Sequence, residues 1–365
     1  MDVFINGRFL TQSITGVQRY AIELLSALDE YYTINGLPKN IKITILVPRI
    51  SNIKYGSFAN FSIKQVGKLQ GHLWEQFELY KFTKGELLVN LCNTGPIIKK
   101  NQITVIHDAA VFSNSSNFSL LFRVWYKIML KMLGKFSKKI VTVSQFSKKE
   151  LLNYLNISET KVNVIYEGKE HFIRKDSDKS IIERYNLIDK PYLLAVSSLN
   201  PNKNFKSIIR ALDFLDDEVN FKVVIAGGTD PKVFSKKGTE LPSFVDHVGY
   251  VTDEELKALY ENAFCFIYPS FYEGFGLPPL EAMSTGCPVI ISNVASLPEV
   301  GGDAALYCNP YNPEDIANRI KELMSDNTFR NQLIEQGYMQ AESFSWKKCA
   351  VEFQSVISDS LIKEG

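Results

Sequence analysis

Short apolar runs alternate along the chain with longer segments in which apolar residues recur every three or four positions. In the first half, the runs that predict strands are Val3–Asn6, Ile41–Val47, Leu87–Leu91, Ile103–Ile106 and Ile140–Val143. The segments that predict helices there are Gly16 to Leu28, Ser119 to Phe136 and Ser147–Leu155. Continuous apolar strands separated by helices are typical of a parallel sheet that is covered on both faces.

A polar stretch without periodicity, from Glu167 to Ser180, interrupts this alternation and is interpreted as an interdomain linker. After it, strands are predicted at Tyr192–Val196, Phe221–Ala226, His247–Tyr250, Cys265–Tyr268 and Val289–Ser292. Helices are predicted at Phe205–Leu215, Glu254–Asn262, Leu280–Thr285 and Pro313–Met324. The pattern therefore predicts an α/β protein with two Rossmann-like, doubly wound domains, 1–172 and 173–345, that face each other across a ligand-binding cleft.

Composition narrows the functional classes. With 45% hydrophobic and 22% charged residues the chain is of ordinary globular type, and a net charge of +1 gives no overall attraction to nucleic acid. Its five cysteines include no C-x-x-C pair, so neither a zinc site nor a disulfide framework is indicated. The sequence shows no signal peptide and no apolar run of about 20 residues. We therefore expect a cytoplasmic protein.

The stretch Tyr268–Ser292 concentrates the candidate chemistry. A strand is followed by a loop with two glycines, two prolines and a short helix, whose N-terminus favours phosphate. Glu281, placed in the first helical turn, can accept hydrogen bonds from the two hydroxyls of a ribose, and Glu273 can hold hydroxyls of a sugar. The alternative is that Glu281 only complements the helix dipole and that Glu273 is solvated. The candidate ligand-binding residues here are Glu273, Gly274, Phe275, Gly276, Leu277 and Glu281.

Three other strand-to-helix turns carry candidate residues. Lys203 and Asn204 follow a predicted strand, where a lysine can reach a diphosphate. His107 and Asp108 end another strand, where they can orient a sugar or meet an acceptor. Gly16 opens the first helix and can let backbone N–H groups approach phosphate. For each of them the alternative is a structural or solvent-exposed residue.

The segment E-G-F-G-L-P-P-L-E, from Glu273 to Glu281, resembles the E-x7-E signature of the retaining GT-B glycosyltransferases, specifically glycosyltransferase family 4. Pro298–Pro310 and Gly249–Tyr260 resemble the same family. The resemblance implies that Glu273 contacts the donor sugar, that Glu281 binds the ribose and that Lys203 binds the diphosphate. It also implies that residues 346–365 cross back to the first domain. One departure is that Ser197, Ser198 and Asn200 stand where the family often has an arginine.

The function implied is a retaining transfer of a hexose from a GDP- or UDP-linked sugar to a glycan or lipid-linked glycan, as in bacterial O-antigen or capsule synthesis. His107, Asp108, Lys203 and Glu273 would then be the catalytic residues. The mechanism implied is front-face substitution, in which the leaving phosphate helps to deprotonate the acceptor. The alternatives are a nucleotide-sugar epimerase or hydrolase, and a non-catalytic nucleotide-sugar-binding protein.

Two further features bear on partners. Residues 119–139 form a predicted helix with a stripe of cations at every fourth position, which suits an anionic membrane surface, and equally suits a solvated helix face. The stripe consists of Arg123, Lys127, Lys131 and Lys135. The D-x-D sequence at Asp176–Asp178 lies in the linker, so no essential metal and no cofactor is expected.

Overall fold

The computed structural model describes residues 1–49, 57–113, 119–188, 190–196, 201–215, 221–228 and 243–362. The chain forms two compact units, Met1–Gly168 with Ser345–Gly365, and Lys169–Phe344. The first unit thus ends four residues before the boundary predicted at 172. The reason is that residues next to the boundary, His171 and Phe172, are buried in the second unit.

The first unit contains a parallel sheet of seven strands in the order β3-β2-β1-β4-β5-β6-β7. Its strands are β1 Asp2–Asn6, β2 Lys42–Pro48, β3 Phe61–Val66, β4 Leu87–Asn90, β5 Gln102–Val105, β6 Lys139–Thr142 and β7 Val162–Val164. Its helices are α1 Gly16–Asn35, α2 over 71–82 with a π-helical turn at Trp74–Leu79, α3 Ala110–Ser113, α4 Leu120–Phe136, α5 Gln145–Leu155 and the C-terminal helix Trp346–Leu361. The C-terminal helix packs on α1, and Trp346 contacts Tyr20 edge-on with ring centroids 5.8 Å apart.

The second unit contains a parallel sheet of six strands in the order β10-β9-β8-β11-β12-β13. Its strands are β8 Tyr192–Val196, β9 Lys222–Ala226, β10 Val245–Gly249, β11 Cys265–Tyr268, β12 Val289–Ser292 and β13 Ala305–Cys308. Its helices are α6 Glu170–Ile173, α7 Ser180–Arg184, α8 Phe205–Leu212, α9 Asp253–Asn262, α10 Leu277–Ser284, α11 Leu297–Gly301, α12 Pro313–Ser325 and α13 Asn327–Glu342. The C-terminal helix Trp346–Leu361 is α14.

Both strand orders are those of doubly wound Rossmann sheets, so the predicted fold class is confirmed. The central strands are buried along their whole length, as in β4 and β11, because helices cover both faces. Strands β3, β7 and β13 were absent from the sequence prediction. The first is an edge strand with mixed burial, the second has only three residues, and the third lies at the edge of its sheet with one of its four residues partly exposed. Short or partly exposed strands give a weak apolar pattern.

Candidate active site

The strand order of the second sheet reverses between β8 and β11, which are neighbours in the sheet but not in the chain. In open α/β sheets, ligands bind outside the carboxyl ends of the strands at this position. Lys203 lies in the turn after β8, and Tyr268 is the last residue of β11. Glu273 lies in the loop that follows Tyr268. The fold therefore brings these three side chains together.

Lys203 and Glu273 form a two-pronged ion pair. The Lys203 Nζ lies 2.8 Å from Oε1 and 3.0 Å from Oε2 of Glu273, and it also donates to the Tyr268 hydroxyl. The pair is partly open to solvent, because 21% of the Lys203 side chain and 14% of the Glu273 side chain are exposed. Burial alone would lower the pKa of Lys203, but Glu273 and Tyr268 outweigh it and raise that pKa. Lys203 therefore carries a positive charge at neutral pH.

The loop that carries Glu273 is held by Ser296, whose hydroxyl binds two backbone carbonyl groups of the loop, and by the packing of Phe275. Ser296 Oγ lies 3.0 Å from the carbonyl oxygen of Glu273 and 2.5 Å from that of Phe275. Phe275 is buried with its ring against Phe344, at a centroid distance of 5.6 Å. Gly276 has a φ of +129°, and a Cβ at this position would meet Leu297 Cδ2 at 2.9 Å. Glycine is thus required where the loop turns into α10.

Helix α10 begins earlier than predicted. It starts at Leu277, because Pro278 and Pro279 occupy its first turn, where a missing N–H has no cost. Leu280 donates its own N–H to the Gly276 carbonyl at 3.3 Å. Glu281 consequently lies in the second turn of the helix, whereas the sequence analysis placed it in the first turn. In the first turn of α10, the Leu280 N–H is thus already bonded to Gly276, and the two prolines have no N–H to offer.

Glu281 is 8% exposed, and its Oε1 lies 3.0 Å from Nε2 of His171. Tyr260 packs nearby; burial and the Glu281 carboxylate raise the pKa of its hydroxyl well above the ordinary value. His171 belongs to α6, inside the stretch that the sequence analysis interpreted as a linker. No local pattern in the sequence therefore signals that a histidine contacts Glu281.

Asn204 serves the scaffold. It has a left-handed backbone with φ of +52°, and its Nδ2 donates to the carbonyl oxygens of Pro269, at 3.0 Å, and Pro310, at 2.7 Å. Its Oδ1 accepts a hydrogen bond from Ser207 at 2.7 Å. These bonds tie the Lys203 turn to the end of β11. The side chain of Asn204 is thus engaged with protein groups, although the sequence placed it among the ligand-binding residues.

The other candidates lie in the first unit. His107 is buried after β5, with Nε2 3.0 Å from the Leu91 carbonyl oxygen and its ring edge against Tyr20. Asp108 is partly exposed and its Oδ1 accepts a hydrogen bond from the Ala110 N–H at 2.8 Å. Gly16 is the exposed first residue of α1, and no described atom lies within 4 Å of the point that a Cβ would occupy. The three residues are on different elements from the Lys203–Glu273 pair.

A buried polar network at the carboxyl ends of β1 and β4 was not predicted. Glu75 is fully buried on the π-helical turn of α2, and Arg8 Nε lies 3.2 Å from its Oε1. Asn6 and Thr94 donate to the same oxygen at 2.9 and 2.7 Å, and His72 Nδ1 lies 3.0 Å from Oε2. Burial raises the pKa of Glu75, but its contacts with His72, Arg8, Asn6 and Thr94 outweigh burial and bring the pKa below its ordinary value. Glu75 is therefore ionised. The network holds together the carboxyl ends of β1 and β4, the two neighbouring strands between which the strand order of the first sheet reverses.

The described residues contain neither a candidate metal cluster nor a candidate membrane-spanning helix. No group of three or more His, Cys, Asp or Glu side chains among them is arranged to hold a metal ion. None of the helices in the same ranges combines the length and apolarity needed to cross a membrane. The segment Ser197, Ser198 and Asn200, where the resemblance lacks its arginine, lies outside the described residues.

Comparison with known proteins gives consistent matches. The family model described as "Glycosyl transferases group 1" matches residues 178–340. The O-antigen chain mannosyltransferase B of Escherichia coli is 33% identical over 262 residues, 68% of this chain and 68% of that protein. The O-antigen chain mannosyltransferase RfbU of Salmonella typhimurium is 29% identical over 334 residues, 88% of this chain and 90% of that protein. Sucrose-phosphate synthase from Thermosynechococcus elongatus shares the fold, with a TM-score of 0.75, 18% identity and 98% of both chains covered.

Proposed function

Because the chain belongs to the group 1 glycosyl transferases, we propose that it transfers mannose, with retention of configuration, from a nucleotide sugar to a glycan or lipid-linked glycan of a bacterial surface polysaccharide. Mannose is favoured because the two relatives compared above are named O-antigen mannosyltransferases. The donor is a GDP- or UDP-linked sugar. The observation that carries the proposal is the Lys203–Glu273 pair at the position where the strand order of the second sheet reverses.

Lys203, Glu273 and Glu281 each bind a different part of the nucleotide sugar. Lys203 supplies a compact positive charge for the diphosphate. Glu273 accepts hydrogen bonds from hydroxyls of the sugar, and Glu281 accepts them from the ribose. Lys203 and Glu273 form an ion pair in which their charges neutralise each other. Donor binding then exchanges part of this ion pair for contacts with the diphosphate and the sugar.

The reaction proposed is a front-face substitution at the anomeric carbon. The bond from that carbon to the diphosphate oxygen breaks, and a bond to the acceptor hydroxyl oxygen forms on the same face. The leaving phosphate takes the proton of that hydroxyl, so no protein base is required. Negative charge develops on the departing diphosphate, and a preorganised cation stabilises it in the transition state. Lys203 is that cation.

For the first unit, we assign Asp108 to the acceptor, because its side chain is partly exposed at the end of the β5 segment. His107 supports the same turn through its bond to Leu91. Gly16 leaves the N-terminus of α1 open for a phosphate.

The same unit is proposed to bind an anionic membrane surface through α4. The helix exposes Leu121 (83%), Val124 (49%) and Ile128 (50%) next to its cations. Exposed apolar side chains beside lysines and arginines are the features of helices that lie in the membrane interface. A lipid-linked acceptor would then reach the enzyme from the cytoplasmic face of the membrane.

The proposal is tested by incubating the purified protein with GDP-mannose, UDP-glucose or UDP-galactose, with and without glycan acceptors, in the presence of a chelator. Product with an α-linkage, formed only with an acceptor, supports a retaining transferase that needs no metal. Release of free sugar at the same rate with or without acceptor would indicate a hydrolase, and conversion of the donor sugar an epimerase. Binding without any turnover would indicate a non-catalytic protein, and activity restored only by manganese would refute the metal-free mechanism.

A further inference from the structure

Glu281 is not simply an exposed carboxylate on a helix. Both it and its partner are buried: 11% of the Glu281 side chain and 1% of the His171 side chain are exposed. A carboxylate that is withdrawn from water keeps its charge at lower cost when a hydrogen-bond donor faces it. His171 provides this donor through Nε2 at 3.0 Å from Oε1.

The arrangement also restricts the rotation of Glu281. The carboxylate projects from the second turn of α10, with a flexible side chain that has several rotamers. The bond to His171 anchors Oε1 at one point, and the neighbouring buried ring of Tyr260 limits the space beside it. A carboxylate fixed in this way presents one orientation to a ligand, and preorganisation of this kind lowers the cost of binding.

Contacts of the neighbouring residues Phe172 and Lys169 fix the position of His171 within the second unit. Its element α6 starts immediately after the boundary of the second unit, and its neighbour Phe172 is 1% exposed with its ring edge against Tyr260 at a centroid distance of 5.5 Å. Lys169, at the start of the unit, pairs with Glu342 of α13. The segment from Lys169 to Phe172 is therefore anchored to the second unit on two sides, and His171 is fixed relative to α10.

We propose that His171 is a positioning residue that orients Glu281 toward the two hydroxyls of the donor ribose, and that it thereby contributes to the preference of the enzyme for ribonucleotides. This inference rests on the proposed function, which assigns the ribose to Glu281. It predicts a role for His171 in recognising the sugar of the nucleotide, and no direct contact with the diphosphate or with the transferred sugar.

The test compares the dissociation constants of GDP and 2′-deoxy-GDP, and of UDP and 2′-deoxy-UDP, in calorimetric titrations of five proteins. These are the wild type, His171→Leu, His171→Gln, Glu281→Ala and Ile320→Val. Leucine removes the donor, whereas the glutamine amide places an N–H near the position of Nε2. Ile320 is a fully buried residue of the same unit, so its shortening is a control for a small general loss of stability.

We expect Glu281→Ala and His171→Leu to reduce the ratio of the deoxynucleotide to the ribonucleotide dissociation constant by about tenfold. His171→Gln should restore most of the ratio, and Ile320→Val should leave it unchanged. Should His171→Leu not fold, His171→Asn, whose amide is too short to reach Glu281, replaces it in the comparison.

A reduced ratio in Glu281→Ala together with an unchanged ratio in the folded His171 variants would overturn the positioning role while leaving the proposed function intact. An unchanged ratio in Glu281→Ala would refute the assignment of the ribose to Glu281, and the inference with it. A wild type that binds none of the four nucleotides would refute the proposed function, and would thereby remove the basis of this inference.

Discussion

Lys203 is bonded to Glu273, and this ion pair determines what each substitution should do. Glu273 holds the ammonium group through both of its oxygens and, together with Tyr268, raises the pKa of Lys203 despite the burial that lowers it. Removing the lysine leaves a half-buried carboxylate without its main partner. Removing the charge of the carboxylate leaves a lysine that is free to bind phosphate more tightly.

We therefore expect Lys203→Ala to reduce kcat by about 100-fold, because the charge acts mainly on the departing diphosphate. Glu273→Gln should also reduce kcat, yet its dissociation constant for the free nucleoside diphosphate should stay equal to or below that of the wild type. Steady-state kinetics and titration calorimetry measure the two effects. The control is Lys206→Ala, an exposed lysine on α8. An equal loss of nucleoside diphosphate affinity in both site variants would contradict the division of roles.

At the next level, the connection from β11 to α10 depends on one glycine. Gly276 adopts a φ of +129°, and the space for a side chain is closed by Leu297. Replacement by alanine imposes two costs, an unfavourable backbone angle of about 1–3 kcal/mol and a close contact that must be relieved by movement of the loop. Because Glu273 and Glu281 stand on either side of this residue, the movement displaces both.

Gly276→Ala should consequently lower the midpoint of thermal unfolding and weaken nucleoside diphosphate binding at the same time. The matched control is Gly249→Ala. This glycine also has a positive φ, of +70°, but no atom of the described residues lies within 4 Å of the point that its Cβ would occupy. The control should lose stability and keep its affinity. If the two variants lose affinity equally, the contact with Leu297 has no part in shaping the site.

Lys99, in the segment between β4 and β5, gives a prediction on pH. It is 4% exposed, its Nζ donates to the Thr83 carbonyl oxygen at 2.6 Å, and burial lowers its pKa from 10.5 to about 8. Between these two values the unfolded chain binds more protons than the folded one. The free energy of unfolding therefore increases as the pH rises from 8 to 10.5, and the contribution of Lys99 to this increase is at most about 3 kcal/mol.

Denaturant titrations at several pH values test this. The difference in unfolding free energy between the wild type and Lys99→Met should grow in favour of the wild type as the pH rises through this window, because methionine cannot lose a proton. Comparing differences removes the opposing contribution of buried tyrosines. Lys100→Met, at the exposed neighbouring position, should show a constant difference. A constant difference for Lys99→Met as well would mean that Lys99 keeps its ordinary pKa in the folded protein.

The elements also show what a sequence can and cannot predict. Short apolar runs were sufficient to predict the buried strands, and the glycines and prolines after Tyr268 were sufficient to predict the loop from Glu273 to Gly276, since burial and backbone geometry leave marks on local sequence. The contact between His171 and Glu281 joins residues 110 positions apart, and the network around Glu75 joins α2 to the ends of β1 and β4. Such pairs have no local pattern. The start of α10 was predicted at Leu280 and lies at Leu277, because the helix includes both prolines in its first turn.

For the molecule as a whole, the open question is how the enzyme meets its acceptor, and α4 offers a physical basis. Leu121 and Trp125 of this helix line a surface pocket with His72 of α2, and the rings of His72 and Trp125 lie 6.0 Å apart between centroids. On α2, Leu73 and Phe77 are also exposed, by 60% and 63%. Exposed apolar side chains on two helices that meet, with cations on one of them, suit an anionic bilayer better than water.

The prediction is that the protein sediments with vesicles that contain anionic lipid at low salt, and does so less as the salt concentration rises. Each cation near such a surface contributes about 1 kcal/mol, so removing four should abolish most of the binding. The variant replaces Arg123, Lys127, Lys131 and Lys135 with glutamine. A second variant replaces Leu121, Val124 and Ile128 with serine; it should bind more weakly than the wild type at low salt and lose this binding as the salt concentration rises, because it retains only the electrostatic part, which salt screens.

The charge-matched control for the α4 variants replaces four exposed lysines elsewhere, Lys179, Lys206, Lys347 and Lys348, with glutamine and should still bind. Both α4 variants should keep their activity on a soluble acceptor, since the proposed donor residues Lys203, Glu273 and Glu281 belong to the other unit. A wild type that stays in the supernatant at low salt, or a control that loses binding as fully as the α4 variant, would show that α4 is a solvated helix and that the acceptor reaches the enzyme by another route.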